Sequence, residues 1–225
     1  MHIEPGIVTG AKIVLSYGTA AAVVAYTLKS AMGAVRVASL PSIAARSLVA
    51  TMLVFVFFEV MPHFAIGVSE VHFILGSTLF LILGAAPAAV GLALGLLIQS
   101  VFFAPLDLPQ YAMNVTTLLV PLFAMRALAA RVIAPNTAYV DLTYKQTLAL
   151  STAYQGGIVL WVGFWAIYGA GLGAENLGSI ATFGGAYMMV ILIEPLVDLA
   201  VLAGAKSMRG LAQSGLTTTR LFRAS

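Results

Sequence analysis

Histidine is the residue type in this chain best suited to bind a transition metal, and the sequence has three, at positions 2, 63 and 72. His2 directly follows Met1. A terminal amine, the amide nitrogen of residue 2 and the Nδ1 of its imidazole can close fused chelate rings in one plane, and planar nitrogen sites suit Ni²⁺ and Cu²⁺. Removal of an initiator methionine normally requires a small second residue, so we expect Met1 to stay. The first two residues therefore predict a chelate that needs one further nitrogen.

The composition predicts that the chain is a membrane protein. The chain has 225 residues, of which 61% are hydrophobic and 8% are charged, whereas soluble domains carry about 25% charged residues. So much apolar surface cannot be hidden in a water-soluble fold. We expect an integral membrane protein, a multi-pass protein of the cell (inner) membrane in contact with the lipid bilayer. The net charge of +3 gives no indication of a nucleic-acid partner, and the absence of cysteine excludes disulfides and thiolate metal sites.

The apolar runs predict the fold class. Runs of about 20 apolar residues indicate membrane-spanning helices, and we identify seven: 8–28, 46–62, 71–86, 88–104, 112–133, 146–169 and 180–203. The expected fold is an all-α integral membrane protein, a bundle of about seven transmembrane helices. We expect a membrane domain over residues 1–205 and a cytoplasmic polar tail over residues 206–225. The first run lacks the basic region and cleavage site of a signal peptide, so we expect it to be an uncleaved helix.

The basic residues predict the orientation of these helices. Ten of the 11 lysines and arginines fall in or close to the connections after the first and fifth runs, or after the seventh run. The opposite connections carry Glu70, Asp107 and Glu175 and no basic residue. Cytoplasmic loops are enriched in lysine and arginine. We therefore expect the N-terminus outside and the C-terminus in the cytoplasm.

Two histidines are candidates for the further nitrogen, and both are predicted on the same side of the membrane as the N-terminus. His63 follows Pro62 at the end of the second run. His72 opens the third run, behind Gly67 and Ser69. We favour His72, because a position at a helix start is more fixed, and keep His63 as an alternative ligand.

Two side-chain amides, Asn114 and Gln99, lie in apolar runs. Each could form hydrogen bonds between helices, which are worth about 0.6–2 kcal/mol in membranes, or could orient metal ligands. Ser69 and Asn114 are therefore candidates to support the metal site or to act as alternative ligands.

The opening M-H-I-x-x-G resembles that of the CbiM/NikM family, the substrate-binding subunits of cobalt and nickel energy-coupling-factor transporters. Residues 67–76, GVSEVHFILG, are similar to the family's G-x-S-G-H-L-L-G motif, with one extra residue before the histidine. Residues 97–103 resemble its L-x-Q-x-L-L-F segment, and residues 111–115 resemble its A-x-N-V stretch. The similarity covers most of residues 1–125, and only the N-terminal motif is specific.

The resemblance implies a metal site and a set of partners. It implies a seven-helix subunit that holds Co²⁺ or Ni²⁺ through the Met1 amine, the amide and imidazole of His2, and the imidazole of His72. The chain departs from the family where Glu4 takes the place of an acid at position 5, and the extra residue leaves His63 as a substitute ligand. The implied partners are a coupling membrane protein, ATP-binding subunits and a small accessory membrane subunit. The chain would not be an enzyme, and the sequence contains no G-x-x-x-x-G-K-[ST] motif for binding ATP.

Two other functions remain open at this point. One is a vitamin-binding subunit of the same transporter class, in which His2 would be incidental. The other is an intramembrane enzyme, although the sequence contains neither H-E-x-x-H nor a nucleophile elbow. Glu194 and Asp198 share one helix face, and we expect them to dock a partner or to form an ion pair.

Small residues four apart, such as Gly18 with Ala22 and Gly91 with Gly95, allow close helix packing in lipid. Each pair would either pack inside the bundle or form a docking face for another membrane protein. The sequence does not distinguish these two arrangements.

Overall fold

The computed structural model describes residues 3–208, 210 and 213–223, and this part of the chain is mainly helical. Its α-helices are α1 (Val14–Val35), α2 (Leu40–Phe55), α3 (Gly76–Leu83), α4 (Ala85–Phe102), α5 (Tyr111–Val132), α6 (Tyr144–Ala170), α7 (Ala174–Met188) and α8 (Glu194–Ser207). A π-helical turn, Val56–Val60, extends α2. Two short strands, β1 (Phe64–Ile66) and β2 (Ser69–Val71), pair antiparallel.

Six helical segments of the described chain are long and apolar enough to cross a membrane. They are Gly10–Val35, Leu40–Val60, Ala85–Phe102, Pro105–Val132, Tyr144–Ala170 and Ala174–Ser207. The prediction of an all-α, multi-pass membrane protein is confirmed. The last segment is interrupted by a 3₁₀ turn over Met189–Leu192, which separates α7 from α8.

The third predicted span has a different structure from the one expected. Within 71–86 the chain is helical over α3 and then enters α4. At a rise of about 1.5 Å per residue, the eight residues of α3 extend about 12 Å, well short of the hydrocarbon core of about 30 Å. Leu75, with φ of 53°, adopts the left-handed conformation directly before α3. This conformation cannot continue a right-handed helix, so residues 72–75 stay outside regular secondary structure and connect the β-hairpin to α3.

The N-terminal and C-terminal segments lie at opposite ends of the bundle. Lys12 near the start of α1 donates to the carbonyl of Gly169 at the end of α6, over 2.9 Å. At the other end, the amide of Thr218 donates to the carbonyl of Ile82, over 2.8 Å. Leu221 is fully buried there, so residues 218–221 of the predicted polar tail pack against the helices. Seven passes with the predicted orientation would place the N-terminal and C-terminal segments at opposite ends in this way.

Close packing between α2 and α4 depends on glycine. A Cβ atom added at Gly91 would lie 2.3 Å from the Cβ of Ala50, and one added at Gly95 would lie 2.6 Å from Cγ1 of Val54. This small-residue pair therefore packs inside the bundle. Gly18 in α1 has no described atom within 4 Å of an added Cβ, so its pair does not form an internal contact at that position.

We expect Gly91→Ala to destabilise the bundle by about 1–2 kcal/mol. Overpacking costs about 1–3 kcal/mol, and the gain in helix propensity from alanine is at most about 1 kcal/mol. Gly18→Ala is the matched control and should be neutral or slightly stabilising, because nothing obstructs its new methyl group. Thermal unfolding of both variants in the same detergent measures the difference. Equal stability of the two variants would contradict the packing described for α2 and α4.

Two acidic side chains lie inside the bundle. Glu194 and Asp198 on α8 are almost fully buried, and the hydroxyl of Ser77 donates to both, over 3.1 and 2.7 Å respectively. Ser151 and Gln155 on α6 donate to Glu194 over 2.7 and 2.5 Å. No ion pair to either carboxylate occurs within the described segments. These hydrogen bonds therefore join α8 to α3 and α6, where the sequence suggested an ion pair or a docking site.

Candidate metal site

The β-hairpin brings the two candidate histidines together. In its register Phe64 lies opposite Val71, so His63 and His72 flank the open end of the hairpin. Their rings are stacked, with centroids 4.9 Å apart and planes inclined by 6°. His72 is 1% exposed, whereas His63 is exposed. The structure therefore places both candidates at one location, with His72 on the inner side.

The hairpin is positioned by its turn. Gly67 and Val68 connect Ile66 to Ser69, and Gly67 has φ of +64°, which glycine adopts at little cost. A Cβ atom at Gly67 would lie 2.1 Å from the carbonyl oxygen of Ser179 on α7. Only glycine allows this approach, so the turn fixes the hairpin against α7.

The prediction that His72 lies at the start of a helix is wrong. His72 follows the last residue of β2, and α3 begins four residues later, at Gly76. Its position is fixed instead by burial and by two neighbours. The ring of Phe58 packs edge-on at a centroid distance of 5.2 Å, and Oε2 of Glu70 lies 3.5 Å from Nε2 of His72.

Glu70 was not among the predicted site residues. The sequence identified it only as an acid in an outer connection. The signal that could have found it is the two-residue spacing to His72, because residues i and i+2 of a strand point to the same face.

The N-terminal segment packs beside the hairpin. Ile3 is fully buried and forms an isolated antiparallel bridge with Ser69. Its amide donates to Oδ1 of Asn114 on α5, over 2.9 Å, and the amide of Glu4 donates to the carbonyl of Val68, over 3.2 Å. Ser69 and Asn114, which we expected to support the site, thus both hold the backbone of Ile3. Met1 and His2, the predicted chelating residues, lie outside the described residues.

A second amide supports the surroundings of His72. Nε2 of Gln99 on α4 donates to the carbonyl of Phe58 over 3.2 Å and to Oε2 of Glu59 over 3.3 Å. Phe58 is the residue whose ring packs on His72. Gln99 therefore joins α4 to the end of α2 next to the histidine.

Among the described residues alone, no group of three or more histidine, cysteine or acidic side chains is arranged to hold a metal ion. The two histidines and Glu70 lie close together, but a complete ligand set at this position would need further donor atoms. Met1 and His2, which directly precede Ile3, are the residues predicted to supply these further donor atoms.

Comparison with known proteins identifies the family. The family described as "cobalt uptake substrate-specific transmembrane region", CbiM, matches residues 2–210 of the chain. The searches of curated proteins and of solved structures found no match. The family match spans the N-terminal segment, the hairpin and all eight α-helices up to the end of α8. The chain belongs to the CbiM family of cobalt uptake substrate-specific transmembrane regions, and it is a multi-pass membrane component of cobalt or nickel uptake.

Proposed function

We propose that this chain captures a divalent transition-metal ion, Co²⁺ or Ni²⁺, from the outer side of the membrane. The Met1 amine, the amide and imidazole of His2, and the imidazole of His72 would bind the ion as the transported substrate. The observation that carries this proposal is the attachment of Ile3 to Ser69 and Asn114. It anchors the residue next to His2 beside the hairpin that directly precedes His72.

Chain geometry allows these nitrogens to belong to one site. A trans peptide keeps consecutive Cα atoms about 3.8 Å apart, which limits how far residue 2 can lie from Ile3. Residues opposite each other in antiparallel pairs have Cα atoms about 4.5–5.5 Å apart, which places Ile3 close to Ser69. His72 follows Ser69 by three residues, at most about 10 Å of extended chain. The two halves of the proposed ligand set are therefore within reach of each other.

The surroundings of His72 favour a particular ligand atom. A carboxylate beside one ring nitrogen favours the tautomer that carries its proton on that nitrogen. Because Glu70 lies beside Nε2 of His72, we propose that Nδ1 faces the metal. Neutral imidazole and amine nitrogens suit Co²⁺ and Ni²⁺ better than Mg²⁺ or Ca²⁺, which prefer oxygen.

We further propose that the chain works within an energy-coupling-factor importer. Its partners would be a coupling membrane protein, ATP-binding subunits and a small accessory membrane subunit. Because the sequence contains no P-loop, ATP hydrolysis would take place on the separate ATP-binding subunits. Movements of these partners would then drive release of the metal into the cell.

Metal analysis of the purified chain tests the proposal. The protein is extracted in mild detergent with its native start and titrated with Co²⁺, Ni²⁺, Mg²⁺ and a panel of vitamins. We expect about one Co²⁺ or Ni²⁺ per chain and no stable complex with Mg²⁺, because the proposed ligands are nitrogens. Saturable binding of a vitamin without bound metal would instead support the vitamin-binding alternative.

Asn114 offers a test of the anchoring step. Asn114→Ala removes the acceptor for the Ile3 amide, and loss of groups that orient metal ligands typically costs about 10–100-fold in affinity. We expect a loss of that size. Asn176→Ala is the matched control, because Asn176 donates to carbonyls of Ala166 and Gly171 and has no hydrogen bond to Ile3. Calorimetric titration with Ni²⁺ should show a loss only for Asn114→Ala, and equal affinities would contradict the anchoring role.

A further inference from the structure

A large cavity lies at the end of the bundle opposite the histidines. Its volume is about 900 Å³, and it opens between α1, the start of α4, the end of α5 and the C-terminal segment. Five basic side chains line it, and none of its described lining residues is acidic. The five are Lys29, Arg46, Arg126, Arg220 and Arg223. This end carries most of the basic residues and is therefore the expected cytoplasmic end.

Arg46 is the deepest of these charges. Arg46 lies on α2, and it is 5% exposed. Nη1 donates to the carbonyl of Leu83 over 2.9 Å, and Nε donates to the carbonyl of Ser42 over 3.4 Å. No acidic side chain pairs with it within the described ranges. A buried cation that bonds only to neutral carbonyls keeps its full charge, and burial of such a charge is costly without an anion.

Two further arginines are held in place without being neutralised. Arg126 donates to the hydroxyl of Ser30 over 2.6 Å. Arg220 donates from Nη2 to the carbonyl of Ala134 over 3.1 Å and lies 5.2 Å from the ring centroid of Tyr139. Burial raises the pKa of Tyr139, so its phenol remains neutral and does not cancel the positive charge. The buried Nε of Arg220 has no hydrogen-bond partner in the described part of the chain.

The N-terminus of α4 adds to the positive potential of the cavity. Ala85 and Ala86, the first two residues of this 18-residue helix, line the cavity together with Gly84. The first amides of a helix lack partners within it, and they carry the positive end of the helix dipole. Gly84 at the N-cap has no side chain to bond them. Helix N-termini with free amides bind phosphate groups.

We propose that this cavity binds a phosphate group, carried either by an anionic phospholipid or by a free phosphate. Within the described part of the chain, four observations support it: a partly open cavity, five basic lining side chains with no acidic one, a buried Arg46 with no anionic partner, and a helix N-terminus with no side-chain cap. Basic pockets between transmembrane helices at the cytoplasmic side bind anionic lipid headgroups. The remaining walls are largely apolar, with Phe80, Ala34 and Ala129 among them, which suits the acyl chains of a lipid.

The test compares phosphate-bearing probes with matched controls on the full chain in detergent. The lipid probe is short-chain phosphatidylglycerol, with phosphatidylcholine of equal chain length as its control. The free probe is inorganic phosphate, compared with chloride at equal ionic strength. Saturable binding of phosphatidylglycerol alone would identify a lipid site, and saturable binding of inorganic phosphate would identify a soluble ligand. Binding of neither would overturn the proposal and would instead favour an acidic segment of a partner protein.

Variants that each remove one positive charge distinguish binding in the cavity from general attraction of anions to the protein surface. Arg126→Gln and Lys29→Gln should each weaken binding about fivefold, the effect of about 1 kcal/mol per basic residue near an anionic lipid. The control is Arg131→Gln, because Arg131 lies on the same helix as Arg126, is exposed and does not line the cavity. Equal losses for all three variants would show attraction to the surface alone and would overturn the proposal. The Lys29 side chain is exposed and makes no hydrogen bond within the described part of the chain, so its variant keeps the test valid if Arg126→Gln folds poorly.

Discussion

One extra residue in front of Met1 is expected to abolish tight metal binding while leaving every side chain in place. In the proposed site the terminal amine is a ligand, and an extension converts it into an amide nitrogen, which is a much poorer donor. The chain cannot easily shift to compensate, because Ile3 is fully buried and bonded to Asn114. Loss of supporting groups alone costs about 10–100-fold in affinity. We therefore expect the loss of a ligand to exceed about 100-fold.

Two further forms of the chain make this test specific. His2→Ala removes the imidazole and should match the effect of the extension. A tag after Ser225 leaves the proposed ligands unchanged and should retain metal. Gel filtration confirms equal folding, and calorimetric titration with Ni²⁺ measures the affinity. If the extended protein bound metal as tightly as the native start, the amine would not be a ligand.

The second large effect is expected at the hairpin, where His72→Ala should lose tight metal binding and His63→Ala should keep most of it. The physical basis is the difference in environment. His72 is buried, with Glu70 beside its Nε2 and Phe58 against its ring. His63 is exposed, so water can replace what its ring contributes. Each variant therefore measures the role of one of two stacked rings.

Metal retained per chain after dialysis, together with calorimetric affinity, checks this assignment. The two variants serve as each other's control, because each removes one imidazole from the same stacked pair. Loss of metal in His63→Ala with retention in His72→Ala would reverse the assignment. Loss in both would show that the two rings act as one unit.

Much of the fold was predictable because membrane insertion imposes strong rules. Long apolar runs and the distribution of basic residues predicted the membrane-spanning helices and the opposite placement of the two ends. The hairpin was not predictable, because two strands of three residues carry almost no sequence signal. Their conformation depends on tertiary contact, above all the approach of Gly67 to Ser179 on α7.

The site was predictable in part. The sequence placed His63 and His72 at one end of the bundle, but it could not show that their rings stack or that Glu70 lies beside His72. Asn114 stood out as an amide in an apolar run, whereas its bond to the Ile3 amide joins residues 111 positions apart. The basic cavity also depends on distant segments, because the sequence indicates the side of the membrane on which its charges lie but not the cavity between them.

X-ray absorption spectroscopy of the nickel-loaded chain is the most direct test of the proposed nitrogen site, because it measures the number, type and geometry of the ligand atoms. We expect a planar site of four nitrogens, which His2→Ala should disrupt and Asn176→Ala should leave intact. An octahedral site made only of oxygen ligands would contradict this expectation, because neither the N-terminal nitrogens nor His72 would then bind the metal.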